Sequence, residues 1–594
     1  MKRNKILTVS LLALLAGCAA DGVDGMNGSN GTNGTDGMDG MDGDPGQNGQ
    51  PGQNGTNGTN GTDGEDGDDG QNLTAAPRLI RLATTPLGAE LTGMEKTDNG
   101  DFFFNIQHPS SSLPGAEANA AVGAWVGVDI DHLDPRMESL PVPDATSAFA
   151  QTTQVALGTY QVLGRHGDTF AGALPFGFGN IPSADGTAGI IQSNDPDFNG
   201  FVPTNFDGTE GYLFTAWEDR PGGMTRLAVT RETDGSWTVS NAINVDFSDV
   251  NGTIINCFGS VSPWGTPLTS EENYEAENTV RWNDASYSSG YPNYADVQRI
   301  QQYLGGTFPN PYDYGYIVEI TAPTSATPVP VKHFAMGRVA HENPIVMPDR
   351  RTVYLTDDGS NKGFFKFVAD VAGDLSAGTL YAARVWQDAT RDSARAGFDI
   401  EWIRLGHATN AEIEAWIREY DGIDAGDFMA GQTSYITDAE VAAWAAGTAP
   451  DDRVAFLETL RAAGAVGASV EFNKMEGINI NYAGAASGAV PFMYVAMADV
   501  TGAMTDNVGD IRITTNRCGI VYRIGLTATY DVIRMDPVVV GGAYDSAAMP
   551  DRCDVDGIAQ PDNVTVLNDG RVLIGEDTSN HANNMLWIYN PRGE

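Results

Sequence analysis

The 594-residue chain is poor in positive charge, with 34 lysines and arginines against 78 aspartates and glutamates, a formal net charge of −44. Such a surface repels phosphate backbones and anionic headgroups, which excludes nucleic acid as a partner and suits calcium or salty surroundings. Histidine is also scarce, 7 in all and dispersed, and none follows His341 at the four-residue spacing of a zinc-protease helix. There is no Gly-x-Ser-x-Gly elbow and no Gly-Lys-Ser/Thr phosphate loop, so serine-hydrolase and P-loop chemistry have no carrier here. The apolar run Ile6–Leu15 is far short of the roughly 20 residues of a membrane-spanning helix.

The scarcity of cysteine is informative, because each of the four occupies a distinct context. Leu15-Ala16-Gly17-Cys18 follows a basic start (Lys2, Arg3, Lys5) and the apolar run, which is the pattern of a bacterial lipoprotein signal. Cleavage of residues 1–17 and lipidation of Cys18 are therefore expected. The leader has no twin-arginine pair, and Ala19 in place of Asp resembles lipoproteins sent on to the outer membrane of Gram-negative bacteria. In an oxidising compartment the remaining three divide most simply into a Cys518–Cys553 disulfide and Cys257 as a metal thiolate, with three unpaired thiols as the alternative.

Residues 18–75 form a stalk. Glycine recurs at every third position from Gly22 to Gly70, the spacing of a collagen triple helix, but proline occurs only at Pro45 and Pro51. A homotrimer through this Gly-X-Y segment and an extended acidic tether are both compatible with it.

From about residue 76 the composition changes to short apolar and aromatic stretches separated by Gly, Pro, Asn and Asp, among them Phe102–Ile106, Ala121–Val128, Tyr212–Trp217, Tyr316–Ile320, Val353–Leu355, Met493–Met497 and Val572–Ile574. That pattern predicts an all-β domain over residues 76–594, and its size favours a propeller, although no blade repeat is evident. A helical insertion is predicted over about 407–465. Capping-box pairs Thr409/Glu412 and Thr437/Glu440 precede runs with helical spacing, as expected of a cap on one face of the domain.

The chemistry centres on Asn256-Cys257, followed by Pro263-Trp264-Gly265-Thr266 and Glu271-Glu272. A thiolate beside several carboxylates suits iron, and the carboxylates alone suit calcium; the structural alternative is a buried cysteine beside a solvated acidic turn. Asp195-Pro196-Asp197-Phe198-Asn199-Gly200 begins like a calcium loop but has Phe206 where the closing glutamate belongs, so it reads as an acidic turn.

The Cys257–Glu272 stretch resembles a signature of the PhoX-type alkaline phosphatases, and further segments resemble others of that family. They are Pro86–Gly93 with Asn105–Pro109, Gly337–Asn343 with Val353–Asp358, Phe472–Gly477, and Gln560–Asn563 with Asn568–Gly570 and Gly575–Asp577. The resemblance implies a six-bladed β-propeller and hydrolysis of phosphomonoesters by a cluster of iron (Fe3+) and calcium (Ca2+), releasing phosphate for uptake. It further implies Cys257, Glu342 and Glu476 on iron, and Glu90, Glu218, Glu272, Asp562 and Asn563 as oxygen donors to calcium. Lys474, His341 and Arg338 are the candidate catalytic residues. Three departures stand out. The Pro86–Gly93 element, carboxyl-terminal in the family, comes first here, as in a circular permutation. Ala216-Trp217 replaces the Asn-His that normally precedes the glutamate. Lys474 replaces an arginine, exchanging a bidentate fork for a point charge. A calcium-only hydrolase of another ester, such as a lactone, and a non-catalytic surface propeller with a decayed site are the competing readings.

Overall fold

The computed structural model describes residues 77–592 apart from 171, 273–278, 287, 289–292, 425–434 and 490. The export signal, Cys18 and the Gly-X-Y stalk lie outside the described residues. Six four-stranded antiparallel units follow one another along the chain. Blade one comprises Glu90–Lys96, Phe102–Gln107, Ala121–Val126 and Thr159–Arg165, and blade two Pro196–Pro203, Glu210–Trp217, Gly223–Arg231 and Trp237–Asn244. Blade three comprises Asn256–Val261, Pro267–Glu271, Ile317–Thr321 and Val329–His333, and blade four His341–Val346, Thr352–Asp357, Phe364–Val371 and Asp374–Gln387. Blade five is Met475–Ile480, Phe492–Met497, Ile520–Leu526 and Val532–Val540. Blade six takes Pro561–Val566, Val572–Glu576 and Met585–Asn590 from the end of the chain and Arg78–Thr84 from its beginning, paired antiparallel with Arg78 opposite Asn590.

The first strand of each blade neighbours its counterparts in the next and the preceding blade, in a cycle that closes from blade six back to blade one. This is a six-bladed propeller, with a blade shared between the two ends of the chain. The long strand Phe398–Thr409 pairs along Asp374–Gln387 of blade four and, at Phe398 and Asp399, with the outer strand of blade five, joining the two blades into one nine-stranded sheet. Side chains stitch neighbouring inner strands together: Thr92 donates to the Pro196 carbonyl, Ser260 to the Pro344 carbonyl and Thr565 to the Met94 carbonyl, while Asn343 accepts from the Ile478 amide.

Helices Asn410–Arg418, Asp438–Ala445, Arg453–Leu457 and Thr459–Ala465 stand between blades four and five, and both capping boxes are formed. Their apolar faces, including Ile413, Ile417, Val441, Phe456 and Leu457, share one core with Leu355, Phe367 and Leu380 of blade four. Arg338, immediately ahead of blade four, ties this cap to blade three: it is 1% exposed, donates to the Tyr314 and Leu457 carbonyls and lies over the Tyr312 ring. The loop residues Cys518 and Cys553 form a disulfide.

Glu271 and Glu272, adjacent in sequence, separate in function. Glu271 is fully buried, accepts from the Ile254, Gly315 and Tyr316 amides and pairs with Lys332 Nζ at 3.0 Å. Removing one member of a buried pair strands the other charge. Lys332→Met is therefore expected to destabilise the domain by about 3–5 kcal/mol, read as a lowered melting temperature, with activity retained in the folded protein.

Candidate metal centre

The inner strands place their ligands by a shared device. In blades two to six the second residue of the inner strand is Asp197, Cys257, Glu342, Glu476 and Asp562. In each of these five strands the pairing register slips immediately after the first or second residue, so that one extra residue bulges out of the ladder. A bulge re-aims a side chain that would otherwise alternate with its neighbours. Blade one slips later, after Thr92, and presents Glu90 from its first position. Three of the inner strands are entered through a non-glycine residue in the left-handed region: Ile255 (φ 44°), Lys474 (φ 55°) and Gln560 (φ 42°). For a β-branched residue such as Ile255 that conformation is strained, a feature that clusters at functional sites. Next to Glu476, Gly477 lets the inner strands of blades five and six touch, since a Cβ there would lie 2.8 Å from the Asp562 carbonyl oxygen.

A second tier comes from the ends of the second strands. The residues opposite the first inner-strand position are Gln107, Trp217, Glu271, Asp357, Met497 and Glu576, or in blade one opposite Glu90 itself. The residue after each is His108, Glu218, Glu272, Asp358, Ala498 and Asp577. Ligand atoms of Asp197, Cys257 and Glu342 lie within 4.8 Å of one another, as do those of Glu218, Cys257 and Glu272 and those of Glu342, Glu476 and Asp562. The three groups interlock through Cys257 and Glu342. His108 Nε2 meets Glu90 Oε1 at 2.5 Å, and Gln107 donates to Glu218. Among these donors His108 and Glu218 are partly exposed, as is the neighbouring carboxylate Asp195, whereas Glu272, Glu342, Asp358 and Glu476 are buried. The centre therefore meets solvent on the side of blades one and two.

Burial, reinforced by neighbouring carboxylates, pushes the carboxyls of Glu90, Glu272, Glu342, Glu476 and Asp562 well above their usual range. It lifts Asp197 to about 7 and Glu218 to about 8. Asp358 runs the other way: burial would raise it, but the Lys474 ammonium holds it below the ordinary value. Both carboxylate oxygens of Glu342, together with Asp197 Oδ2, Glu476 Oε2 and Asn563 Oδ1, are buried with no hydrogen-bond partner among the described residues. Buried acceptors without donors are costly, and a cation is what this donor set fits: one soft thiolate with carboxylate and amide oxygens.

The structure thus brings together Cys257, Glu342, Glu476, Glu272, Glu218, Glu90, Asp562, Asn563 and Lys474 of the sequence-derived set. It also adds Asp197, Asp358, His108 and Asp577. The segment from Asp195 to Gly200 is not an acidic turn but the inner strand of blade two: Asp197 reaches the centre, and Asn199 donates to the Gly93 carbonyl and to Asn105. His341 and Arg338 do not reach it. On a strand whose Glu342 faces the centre, His341 points the other way, is fully buried and donates to the Gly337 carbonyl. Burial lowers its pKa to about 4. A cavity of about 560 Å³ lined by Pro77, Phe492, Tyr494 and Arg523 shares no residue with the centre.

Fold and site together define a six-bladed β-propeller with a metal-type donor cluster where its inner strands meet. Residues 218–594, well over half of the chain, match the family model Alkaline phosphatase PhoX, and residues 18–72 match the collagen triple helix repeat. The chain belongs to the PhoX alkaline phosphatase family and is a phosphoric monoester hydrolase. Glu90 and Asp197 lie outside the matched residues, and Asp197 enters the site on geometry alone. Among solved structures, PhoX of Pseudomonas fluorescens in complex with vanadate is 16% identical, with a TM-score of 0.39 over 87% of this chain and 84% of that one. A glucose dehydrogenase is 7% identical, with a TM-score of 0.37 over 86% of this chain and 98% of that one. The soluble aldose sugar dehydrogenase of Escherichia coli is also 7% identical, with a TM-score of 0.34 over 87% and 99%. No curated protein matches the chain.

Proposed function

We propose that this chain is an exported metallophosphatase that hydrolyses phosphomonoesters at an iron–calcium centre on the propeller axis. The observation that carries the reading is Glu342, whose two buried carboxylate oxygens have no hydrogen-bond partner among the described residues, and which belongs to two of the three interlocked ligand groups. Cys257, Glu342 and Glu476 would hold iron. Glu90, Glu218, Glu272 and Asp562, with the Asn563 carbonyl, would hold calcium, and Asp197 joins them through Cys257 and Glu342. Bound there, the cations would polarise phosphoryl oxygens and stabilise the charge that develops on the nucleophile and the leaving oxygen.

The chain's own contribution is placement and exclusion of water. Bulged inner strands fix the ligand side chains, and rigid placement of the groups that hold the reacting centre is what such chemistry requires. The buried donors of blades three to five lie on the side of the helical cap, and the substrate approaches past His108, Asp195 and Glu218. Lys474 carries positive charge on the blade-five side of the centre, as a single point rather than a fork, and its ammonium is paired with Asp358 and Glu476. The lipobox and stalk support a lipid anchor on Cys18 that holds the enzyme at the outer membrane. There the collagen-like segment would serve as a tether or a trimeric stem.

Iron-edge X-ray absorption of the purified protein tests the centre without relying on turnover. One sulfur neighbour per bound iron is expected, and it should vanish in Cys257→Ala. A metal-loaded protein with no iron, or with iron lacking a sulfur neighbour, would refute the assignment.

A further inference from the structure

This inference rests on the proposed metal centre and concerns its composition. In five blades the residue just after the second strand is an ionisable side chain beside the centre: His108, Glu218, Glu272, Asp358 and Asp577. Blade five has Ala498 in that place, which can neither bind nor balance a cation. What blade five brings instead is Lys474. Its carbonyl accepts the Ala498 amide at 2.9 Å, and its backbone holds the left-handed φ of 55°. Its ammonium lies 2.6 Å from Asp358 Oδ2 in blade four and 3.4 Å from Glu476 Oε1 in blade five. Lys474 is 6% exposed, and Asp358 and Glu476 are 0% and 1% exposed.

Two dehydrated carboxylates from different blades need a positive charge between them, because an uncompensated buried carboxylate is strongly unfavourable. A divalent ion or an ammonium meets that need equally well in sign, and lysine is a compact point charge suited to a gap between two acids. We propose that Lys474 is a tethered cation that occupies the place between blades four and five which a divalent ion would otherwise take. The cluster then binds one metal ion fewer than its carboxylates alone would hold. The left-handed backbone at Lys474 fits this role, since it turns the residue into the centre at a local conformational cost that only a specific placement maintains.

The test is the number of calcium and iron ions per chain, measured by elemental analysis after equilibration in buffered metal. The full chain, Lys474→Met and Lys474→Arg are compared, with thermal melting to confirm folding. Lys474→Met is expected to take up one additional calcium per chain, and Lys474→Arg to match the parent. An unchanged count in a folded Lys474→Met protein overturns the inference. A parent chain that binds no metal overturns the metal-centre reading beneath it, which separates the two failures. Should Lys474→Met not fold, calcium anomalous scattering from crystals of the parent protein decides. No peak is expected between Asp358 and Glu476, and a peak there overturns the proposal.

Discussion

Replacing Cys257 by alanine is expected to lower hydrolysis of p-nitrophenyl phosphate by more than about 100-fold, given that removing even a group that only hydrogen-bonds to a metal ligand costs about 10- to 100-fold. The thiol is 2% exposed and belongs to two of the three ligand groups, with Asp197 and Glu342 in one and Glu218 and Glu272 in the other. Its loss would therefore loosen both groups at once. The purely structural role makes a different forecast, since trimming one sulfur from a core costs on the order of 1 kcal/mol and leaves turnover intact. Melting temperature and activity of the variant, measured side by side, separate the two. A near-parental melt with activity gone supports the thiolate as a ligand, and full activity removes it from the centre.

The second large effect concerns metal removal and pH. In the metal-free protein burial is the main cause lifting the Asp197 carboxyl to about 7 and the Glu218 carboxyl to about 8. The unfolded chain titrates these groups near 4. Between those values the folded state holds more protons than the unfolded state, so stability falls as pH rises. The contribution is intact below about pH 4 and lost progressively through pH 7 and 8, on the order of 4 kcal/mol for Asp197 alone. Chelated protein is expected to melt well below its pH 5 value at pH 8.5, and calcium should erase most of the difference by binding only the folded state. Asp197→Asn should flatten the profile of the chelated protein. A chelated protein equally stable at both pH values would show that these carboxylates are not forced together without a cation.

How much of this was legible in the sequence depends on which strand of a blade is considered. Of the apolar stretches, Phe102–Ile106, Tyr212–Trp217, Val353–Leu355, Met493–Met497 and Val572–Ile574 fall on second strands and Ala121–Val128 and Tyr316–Ile320 on third strands, where side chains alternate and β-formers dominate. The inner strands that carry the ligands look like turns instead, because a bulge calls for small and polar residues. Pro196, Asn199 and Gly200, then Pro344, Gly477 and Asn479, and Pro561 with Asn563 interrupt them. Asp197 was hidden for that reason. The same irregularity masked the blade repeat, which lies in the register of the strand ends: an inner-strand ligand followed, one hairpin later, by His108, Glu218, Glu272, Asp358 or Asp577. Family likeness supplied Cys257, Glu342 and Glu476, whose spacing along the chain says nothing about their proximity. It misled at Arg338 and His341, because a motif marks a neighbourhood and not which face of a strand each side chain takes. Only the alternation about Glu342 separates a ligand from a core histidine.

The most direct test is the rate of p-nitrophenyl phosphate hydrolysis by the purified full chain as isolated, after exhaustive chelation, and after calcium and iron are restored. The rate is expected to collapse on chelation and to return only when metal is supplied. A chelated protein, shown to be free of metal, that still hydrolyses the ester at its original rate would contradict the account.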